Sequence, residues 1–476
     1  MAAIAADGGS GGWVGALYSG VMTAITPLLD LSAHCRRWQG REHYCRWRER
    51  MGYASRERPP GVVIWIHAVS VGEGISAIPV ILRCRDARPL NTILMTTSTV
   101  GAHSVLEQRL PPEVILQFRK DKSPLDILHI GPTHLMEQIH LMIILQFAPI
   151  DTPMAVQRFL LHWTPQAAIF MESELWPTLV LETAQKGIPL ALLNARMSLK
   201  SFERWSAAPM QPLVAAMLSQ FSLIAPLSTK EAIRYQILGA APSIIHFAGN
   251  LKYACAVADA QKESSSGLAD IEAALKDRKV WLAASTHAEE EDAIIRIHKE
   301  LKNWVPRLLT IVAPRQPSRG HAIMTRFRQQ GFGVAVRSEG HQISSNIDVY
   351  MVDTLGELNH FYAMVPIAFV GGSLVQGLAG HNLAEAAAAG CIVLTGYHIG
   401  HFQEMVEEMQ KMSPLSVQQV DEEGLVDNLR KFLTAEDSYL DERRAAADGA
   451  LRAAASGVST RVWELLESCI LKKVLI

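Results

Sequence analysis

The sequence predicts an α/β fold made of two doubly wound, Rossmann-like domains, each with a parallel sheet covered by helices. The chain has 476 residues, more than one hydrophobic core usually serves, so two or three domains are expected. From Gly61 onward, short β-rich runs alternate with helical stretches, a pattern typical of parallel sheets. The polar stretch from Lys262 to Gly267 interrupts this alternation, and a second series follows it. Ligands of such sheets bind at the carboxyl ends of the strands.

The composition indicates a folded globular protein and argues against several kinds of binding site. Hydrophobic residues make up 49% and charged residues 19%, as in a folded globular chain. A formal net charge of −2 excludes a global attraction to nucleic acid, so any anion site must be local. The six cysteines lack CxxC spacing, which argues against a zinc site or a disulfide framework and favours a reducing compartment.

The first 60 residues differ from the rest. No charged residue occurs from Gly8 to Leu29, and the stretch from Trp13 to Leu29 is largely apolar. Basic residues then follow: Arg36, Arg37, Arg41, Arg46, Arg48 and Arg50. Three interpretations fit: a membrane anchor whose basic residues face anionic lipid, a targeting presequence, or a buried core helix. A secretory signal is disfavoured because no basic residue precedes the apolar run.

The strand predictions set the domain boundaries. The first series comprises 62–66, 92–97, 167–171, 190–194, 222–225 and 244–247. The second comprises 280–284, 308–313, 333–337, 349–352, 367–370 and 392–395. We therefore expect a membrane-associating or targeting segment at 1–60, a first domain at 61–245 and a second at 246–476.

A short duplication interrupts the first series. The run ILQF at 115–118 returns at 144–147, and the residues between fit neither the spacing nor the pattern of their neighbours. A single tandem match is more typical of an insertion than of a solenoid. We expect residues 119–147 to form no part of the core, with either copy of ILQF able to occupy the sheet.

Acidic residues follow two strands of the first domain. Glu73 comes after a strand and a glycine turn, where a carboxylate serves as a general base or as a helix-start acid. Glu172, Glu174 and Trp176 follow the strand at 167–171, a composition that suits either sugar binding or helix capping. The run 194–196 is a weaker candidate. Lys252 could stabilise developing negative charge, although most loop lysines are only solvated.

Four motifs follow successive strands of the second domain and together indicate a nucleotide site. Arg315 suits a phosphate, the run 353–357 opens a helix, and the run 370–373 is a glycine turn. Asn382 is the predicted cap of an Ala-rich helix that ends at Gly390, with Glu385 as its third residue. The start of that helix would bind an anion, and Glu385 could reach ribose hydroxyls.

These motifs together resemble the 3-deoxy-D-manno-octulosonic acid (Kdo) transferase family. The matching runs are HAVSVGE at 67–73, MESELWP at 171–177, GNLK at 249–252, STH at 285–287, APR at 313–315, GEL at 356–358, FVGGSLV at 369–375 and GHNLAEAA at 380–387. The resemblance implies an inverting glycosyltransferase of the GT-B fold with an N-terminal membrane-associated helix. It implies CMP-Kdo as donor, a lipid A precursor as acceptor, a membrane surface as partner, and neither a cofactor nor a metal.

The resemblance also assigns roles to residues of this chain. It makes Glu73 the base, and Glu172 and Lys252 stabilisers of the transition state. The residues that it places around CMP are Pro314, Arg315, Leu355, Gly356, Glu357, Asn382, Leu383, Ala384 and Glu385.

Three departures from the family pattern are present. AGHNLAE stands where the family has GGHNPLE, the preceding run 376–379 is altered, and 119–147 has no counterpart. Such an insertion fits a eukaryotic, plant-type member, for which a mitochondrial location is expected. A bacterial member would lie on the inner face of the cytoplasmic membrane. The alternatives left open are another GT-B enzyme, such as a lipid-disaccharide synthase or a nucleotide-sugar epimerase, and a non-catalytic membrane protein.

Overall fold

A computed structural model describes residues 11–38, 42–88, 90–110, 143–260 and 268–472. The chain divides into two compact units. The first unit comprises residues 1–251 together with 457–476, and the second comprises 252–456.

Each unit is built on a parallel sheet. The strands of the first sheet are β1 (Val63–His67), β2 (Thr92–Thr97), β3 (Ile143–Phe147), β4 (Ala167–Met171), β5 (Leu190–Ala195) and β6 (Phe221–Pro226). The strands of the second are β7 (Lys279–Thr286), β8 (Leu308–Pro314), β9 (Val334–Val336), β10 (Val349–Met351), β11 (Ile367–Val370), β12 (Ile392–Thr395) and β13 (Val417–Gln419). Their orders are β3-β2-β1-β4-β5-β6 and β13-β12-β11-β7-β8-β10-β9. The two doubly wound sheets confirm the predicted fold class.

Helices connect the strands. Through the first unit they are α1 (Gly11–Trp38), α2 (Val71–Ala87), α3 (Val100–Arg109), α4 (Pro153–Trp163), α5 (Pro177–Gln185), α6 (Leu199–Ser206), α7 (Gln211–Leu218), α8 (Thr229–Ile237) and α9 (Leu251–Ala260), which begins at the boundary. They continue as α10 (Ala269–Leu275), α11 (Glu291–Lys302), α12 (Gly320–Gln329), α13 (Leu358–Met364), α14 (Ala384–Ala388), α15 (Gln403–Met412), α16 (Glu422–Thr434), α17 (Asp437–Ala455) and α18 (Val458–Leu466). Short 3₁₀ turns cover Trp47–Met51, Pro242–Ile244, Pro317–Arg319 and Gly400–Phe402, and a π-turn covers Glu467–Leu471.

The predicted boundaries of the second domain are wrong at both ends. The division falls between Leu251 and Lys252, and the chain from Gly457 onward belongs to the first unit. The physical reason is burial: Val458, Val462 and Leu466 pack in the same core cluster as strand residues of the first sheet. The predicted strand at 244–247 is also wrong, because only one isolated bridge joins Ile245 to Ile224.

The second copy of the duplicated run forms the edge strand β3. Ile144 to Phe147 pair with β2 in the register Ile144 to Leu94, Leu145 to Met95 and onward. All five residues of β3 are buried. The expectation that 119–147 lies outside the core is therefore wrong at 143–147, while 119–142 lies outside the described residues.

The edge of β3 that pairs with no strand among the described residues is covered by side chains. They come from Arg46 and from the turn Trp47–Met51. Glu49 accepts a hydrogen bond from the backbone N–H of Phe147, at 2.7 Å. Arg46 donates to the carbonyl of Leu145, and Arg50 donates to the carbonyl of Ala148. These contacts satisfy groups that an edge strand otherwise leaves open for pairing. Part of the basic cluster predicted to face lipid, Arg46 and Arg50, is therefore turned toward the protein.

Helix α1 has two different sides. Residues Val14–Trp38 are long and apolar enough to cross a membrane by length and composition, with a mean hydropathy of 1.3. Yet Val14 and Ala33 are buried, and the Tyr18 hydroxyl donates to Asp151 at 2.9 Å. The helix therefore contacts the first unit through a few residues, while only 6% of its apolar window is buried. The side facing away exposes Leu17, Val21, Leu28 and Leu31.

Candidate functional site

The acidic residues of the first unit lie at the point where its strand order reverses. From β1 the chain proceeds outward through β2 and β3, then returns to β4 on the other side of β1. The carboxyl ends of β1 and β4 flank the crevice where doubly wound sheets bind ligands. Glu73 follows β1, and Glu172 and Glu174 follow β4. The structure therefore brings together acids that lie about one hundred residues apart in the sequence.

Glu73 is the third residue of α2 and completes a capping box with Ser70. Its carboxylate accepts hydrogen bonds from the N–H of Val69 at 2.7 Å and from the Ser70 hydroxyl at 2.9 Å. Burial raises the pKa of Glu73, and the nearby Glu172 raises it further, although these hydrogen bonds oppose the shift. A raised pKa brings a carboxylate closer to the range useful for a general base. The capping role and the basic role are therefore compatible.

Glu172 is held in an unusual backbone conformation. Its φ is 57°, in the left-handed region that a non-glycine residue adopts at a cost of about 1–2 kcal/mol. The side chain is 1% exposed, and one of its oxygens accepts a hydrogen bond from Arg196 at 2.6 Å. Strain of this kind clusters at functional sites. Arg196, which the sequence marked only as a weaker candidate, thus balances the charge of a predicted catalytic residue.

Glu174 is a third acid at the carboxyl ends of β1 and β4, and the family resemblance gave it no role. Its carboxylate accepts a hydrogen bond from the indole N–H of Trp176. Burial, followed by repulsion from Glu73, raises the pKa of Glu174 to about 7. The motif MESELWP contains this residue, but the shift depends on neighbours that only folding provides.

The raised pKa of Glu174 predicts a pH-dependent stability. Between its ordinary value and about 7 the folded state binds more protons than the unfolded state, so stability should fall as pH rises through this window. Glu174→Gln mimics the protonated acid and should therefore be more stable than the wild type at pH 8, by roughly 2 kcal/mol. At pH 4, below the ordinary pKa of a glutamate, the two should match. Urea unfolding at both pH values checks this, and an equal difference at both would contradict it.

Asn194 organises the start of α9. Its φ is 52°, and its amide oxygen accepts the N–H of Leu251 at 3.0 Å. Its amide nitrogen donates to the side chain of Asn250, also at 3.0 Å. Asn194 thereby holds the GNLK run in place at the end of the first unit. Lys252 is the next residue, half-buried in the first turn of α9 and already part of the second unit.

The second unit has its own reversal of strand order, at β7. The chain passes from β7 to β8 on one side and later returns to β11 on the other. His287 follows β7, Arg315 follows β8, and the turn Gly371–Ser373 follows β11. These residues share the carboxyl edge of the sheet, as the nucleotide prediction requires.

The glycine turn is not available to a phosphate. The buried carboxylate of Glu290 accepts the N–H groups of Gly372, Ser373 and Leu374 at 2.7, 2.8 and 2.9 Å. It also accepts the N–H of His287, at 3.0 Å. The turn that the sequence predicted as part of the nucleotide site is therefore an anion-binding arrangement of backbone N–H groups, and the carboxylate of Glu290 occupies it. Glu290 was missed because nothing in the sequence shows which groups it contacts.

Two histidines lie against this turn. The Nε2 atoms of His287 and His381 are 2.8 Å apart, and their rings are nearly parallel, with 17° between the planes. A side chain at Gly372 would meet the His381 ring at 2.9 Å, so only glycine fits there. Burial lowers the pKa of His381 to about 4, and the nearby Arg315 contributes to the shift. Arg315 itself is exposed and free to meet a ligand.

The remaining predicted nucleotide residues differ in what they present. Asn382 accepts the N–H of Ala384 at 3.2 Å. The helix α14 begins at Ala384, one residue later than predicted, so Glu385 is its second residue and not its third. That helix has only five residues and ends before Gly390, which weakens the helix-start anion site inferred from the sequence. Leu383 and Ala384 are fully buried, so neither of these two predicted nucleotide residues is exposed at the surface of the unit.

The run 353–357 is fixed by contacts within the second unit. Leu355 is exposed and Gly356 has a φ of 86°. Glu357 forms an ion pair with Arg337 at 2.7 Å and accepts the Thr354 hydroxyl. The bond from Arg337 lowers the pKa of Glu357, so this carboxylate stays ionised. Pro314 is buried at the end of β8.

Known proteins share both the sequence and the fold. A family model described as 3-deoxy-D-manno-octulosonic-acid transferase (kdotransferase) matches residues 45–255. A curated protein of Arabidopsis thaliana, "Probable 3-deoxy-D-manno-octulosonic acid transferase, mitochondrial", is 43% identical over 451 residues, covering 94% of each chain. The chain belongs to the Kdo transferase family. The Kdo transferase of Haemophilus influenzae is 31% identical over 358 residues, covering 75% of this chain and 76% of its own.

Membership of the Kdo transferase family makes the protein a glycosyltransferase and confirms the resemblance to a plant-type member. The fold has more distant relatives. The solved UDP-GlcNAc 2-epimerase of Neisseria meningitidis superposes with a TM-score of 0.55 at 11% identity, over 86% of this chain and all of that one. A putative UDP-N-acetylglucosamine 2-epimerase of Listeria monocytogenes gives the same TM-score at 14% identity. These matches show the GT-B type of fold alone.

Proposed function

We propose that this Kdo transferase moves Kdo from CMP-Kdo to a hydroxyl of a lipid A precursor, with inversion at the anomeric carbon. One observation supports the proposal most directly. In each sheet, side chains suited to one part of the reaction lie at the point where the strand order reverses. The first unit presents three acids beside Arg196, and the second presents Arg315 beside an imidazole pair. Proton removal and phosphate recognition are the two tasks that the transfer requires.

Glu73 is the proposed base of the reaction. It removes the proton of the acceptor hydroxyl, whose oxygen then bonds to the anomeric carbon of Kdo. The bond between that carbon and the phosphate oxygen breaks, and CMP leaves with the bonding electrons. Glu172, held by Arg196, and Lys252 are proposed to stabilise the charges that develop during the transfer. The absence of a cofactor or metal requirement stays a prediction.

Arg315→Ala tests the donor. The change should weaken CMP binding by about 1.5–3 kcal/mol, the scale of a charge-assisted hydrogen bond to phosphate. Calorimetry measures the affinity, and Arg452→Ala, which removes an arginine of the same unit paired with Asp448, is the control. UDP should bind more weakly than CMP. Unchanged CMP affinity in Arg315→Ala would remove Arg315 from the site, and tighter UDP binding would favour an epimerase-like donor.

We also propose that the protein is mitochondrial and membrane-associated through α1. The mitochondrial location follows the name of the Arabidopsis relative. The membrane contact is assigned to the side of α1 that carries Leu17, Val21, Leu28 and Leu31, each more than half exposed. We propose that Arg37 and Arg48, which follow the apolar stretch in the sequence, meet the anionic lipid surface beside this anchor.

The membrane contact is tested without truncation, because deleting α1 would uncover core residues. Replacing Leu17, Val21, Leu28 and Leu31 by Gln should lower binding to vesicles at least tenfold, since about 0.8 kcal/mol is lost per buried methylene. The control replaces four other exposed apolar residues of the same unit by Gln: Leu161, Leu199, Ile233 and Ile237. Sedimentation with vesicles that contain cardiolipin measures binding. An equal loss in both variants, or none in the first, would count against α1 as the anchor.

A further inference from the structure

The paired imidazoles of the second unit share one proton across a short contact. With 2.8 Å between the Nε2 atoms, one nitrogen must carry hydrogen and the other must accept it. The neutral pair therefore fits this geometry, and so does a pair with one additional proton on an outer ring nitrogen. Two hydrogens pointing at each other across this distance do not fit.

Burial is the main reason why the charged form of His381 is disfavoured when no ligand is bound. Arg315 lies at the end of β8, on the same sheet edge as the ends of β7 and β11, and its charge disfavours an imidazolium at His381. Glu290 is a negative charge close to the pair, and its carboxylate is bonded to the backbone N–H groups of His287 and of residues 372–374. Glu385, four residues after His381, is engaged with Asn382 at 3.4 Å. A phosphate bound beside Arg315 would add negative charge and offset the effect of Arg315 on His381.

We propose that the His287–His381 pair takes up one proton when the phosphate of the nucleotide binds beside Arg315. This inference rests on the proposed CMP donor and adds a role for two residues that the family resemblance left unassigned. The bound phosphate neutralises Arg315 and attracts the imidazolium, so the charged pair becomes the stable form.

The proton uptake has a consequence for the transfer. When the bond from the anomeric carbon to the phosphate oxygen breaks, the phosphate gains one negative charge. The phosphate of the intact donor carries less negative charge than the phosphate of the departing nucleotide. A cationic histidine pair beside the phosphate therefore stabilises the departing nucleotide more than the intact donor. Interactions that strengthen as charge develops are the ones that accelerate a reaction. His287 and His381 would then be positioning residues for the leaving group.

Linked calorimetry on the full-length protein tests the proposal. CMP is titrated at pH 7.0 in two buffers with different ionisation enthalpies, and the difference in heat gives the number of protons taken up. The wild type should take up at least half a proton more than His381→Gln or His287→Gln. Its CMP affinity should also fall, by up to about tenfold per pH unit between pH 7 and 8.5, while the variants change little. Cytidine, which lacks the phosphate, should cause no uptake.

A matched control comes from the same unit. His298 is fully buried, burial lowers its pKa to about 4, and it contacts Thr310 rather than the site. His298→Gln should therefore leave the proton uptake at the wild-type value, and thermal melts verify folding of each variant.

The outcomes separate the two proposals. If CMP fails to bind the wild type at millimolar concentration, the proposed donor fails, and this inference fails with it. If CMP binds with no proton uptake and no pH slope in the wild type, the donor stands and the imidazole pair is not a charge switch. The wild-type slope decides this even where a variant does not fold.

Discussion

Replacing Glu73 by Gln is expected to lower the rate of Kdo transfer by about 10²–10⁴-fold, the usual cost of losing a general base. Gln keeps a carbonyl oxygen where Glu73 accepts the N–H of Val69, so the cap of α2 should persist. The affinity for CMP should stay unchanged, because Glu73 belongs to the first unit and the nucleotide residues to the second. Transfer of radiolabelled Kdo and calorimetry with CMP measure the two effects.

The matched control is Glu231→Gln. Glu231 is also the third residue of a helix, α8, and its N–H is also bound by the serine that precedes the helix. Glu231 is not one of the proposed reacting groups, and Gln keeps an oxygen that can accept the N–H of Met197 beside Arg196. Its replacement should therefore change transfer less than threefold, well below the loss from removing a base. A rate in Glu73→Gln that equals the rate in Glu231→Gln would show that Glu73 only caps its helix.

Deletion of residues 114–147 is expected to prevent folding, whereas deletion of 119–147 should be tolerated. The first deletion removes both copies of ILQF and so removes β3, with Ile143, Ile144, Leu145 and Phe147 all buried. Each such side chain contributes about 1.5–3 kcal/mol, so the loss approaches the typical stability of about 5–15 kcal/mol. The second deletion joins Phe118 to Ala148 and restores the strand, with Val114 in place of Ile143.

Thermal melts and limited proteolysis compare the two deletions with the full chain. In the shorter deletion Phe118 takes the place of Phe147, so its N–H should meet Glu49 and the carbonyl of Ala148 should still accept from Arg50. A melt at or above the wild-type temperature is expected. A melt lowered by ten degrees or more would show that the removed residues stabilise the fold. Normal folding without both copies would show that β3 is dispensable.

Several parts of the fold could be predicted from local pattern alone. The strands at Thr92–Thr97, Ala167–Met171, Ile367–Val370 and Ile392–Thr395 agree with their predicted bounds, because each is a short apolar run between turn residues. The run 244–247 looked equally suitable, but it lies after a 3₁₀ turn and makes one isolated bridge. Strand β13, only three residues long, is too short for periodicity to show.

The duplicated run shows where sequence is insufficient. Two identical copies of ILQF carry identical local preferences, so no propensity could choose between them. The contact network from Arg46, Glu49 and Arg50 engages the copy that is followed by Ala148. The same network shows that Arg46 and Arg50 contact the protein, which the sequence could not show, since a charge pattern along the chain does not reveal a partner a hundred residues away.

By itself the sequence determined the fold class and the family, and it marked the acids and Arg315 as candidate site residues, because motifs and strand ends are local features. The tertiary structure decided which of these residues work together. It placed the acids at one reversal of strand order and raised the pKa of Glu174 through burial and charged neighbours. It also filled the glycine turn with Glu290 and set His287 against His381. Burial and charge coupling depend on distance in space, and 94 residues separate the two histidines along the chain.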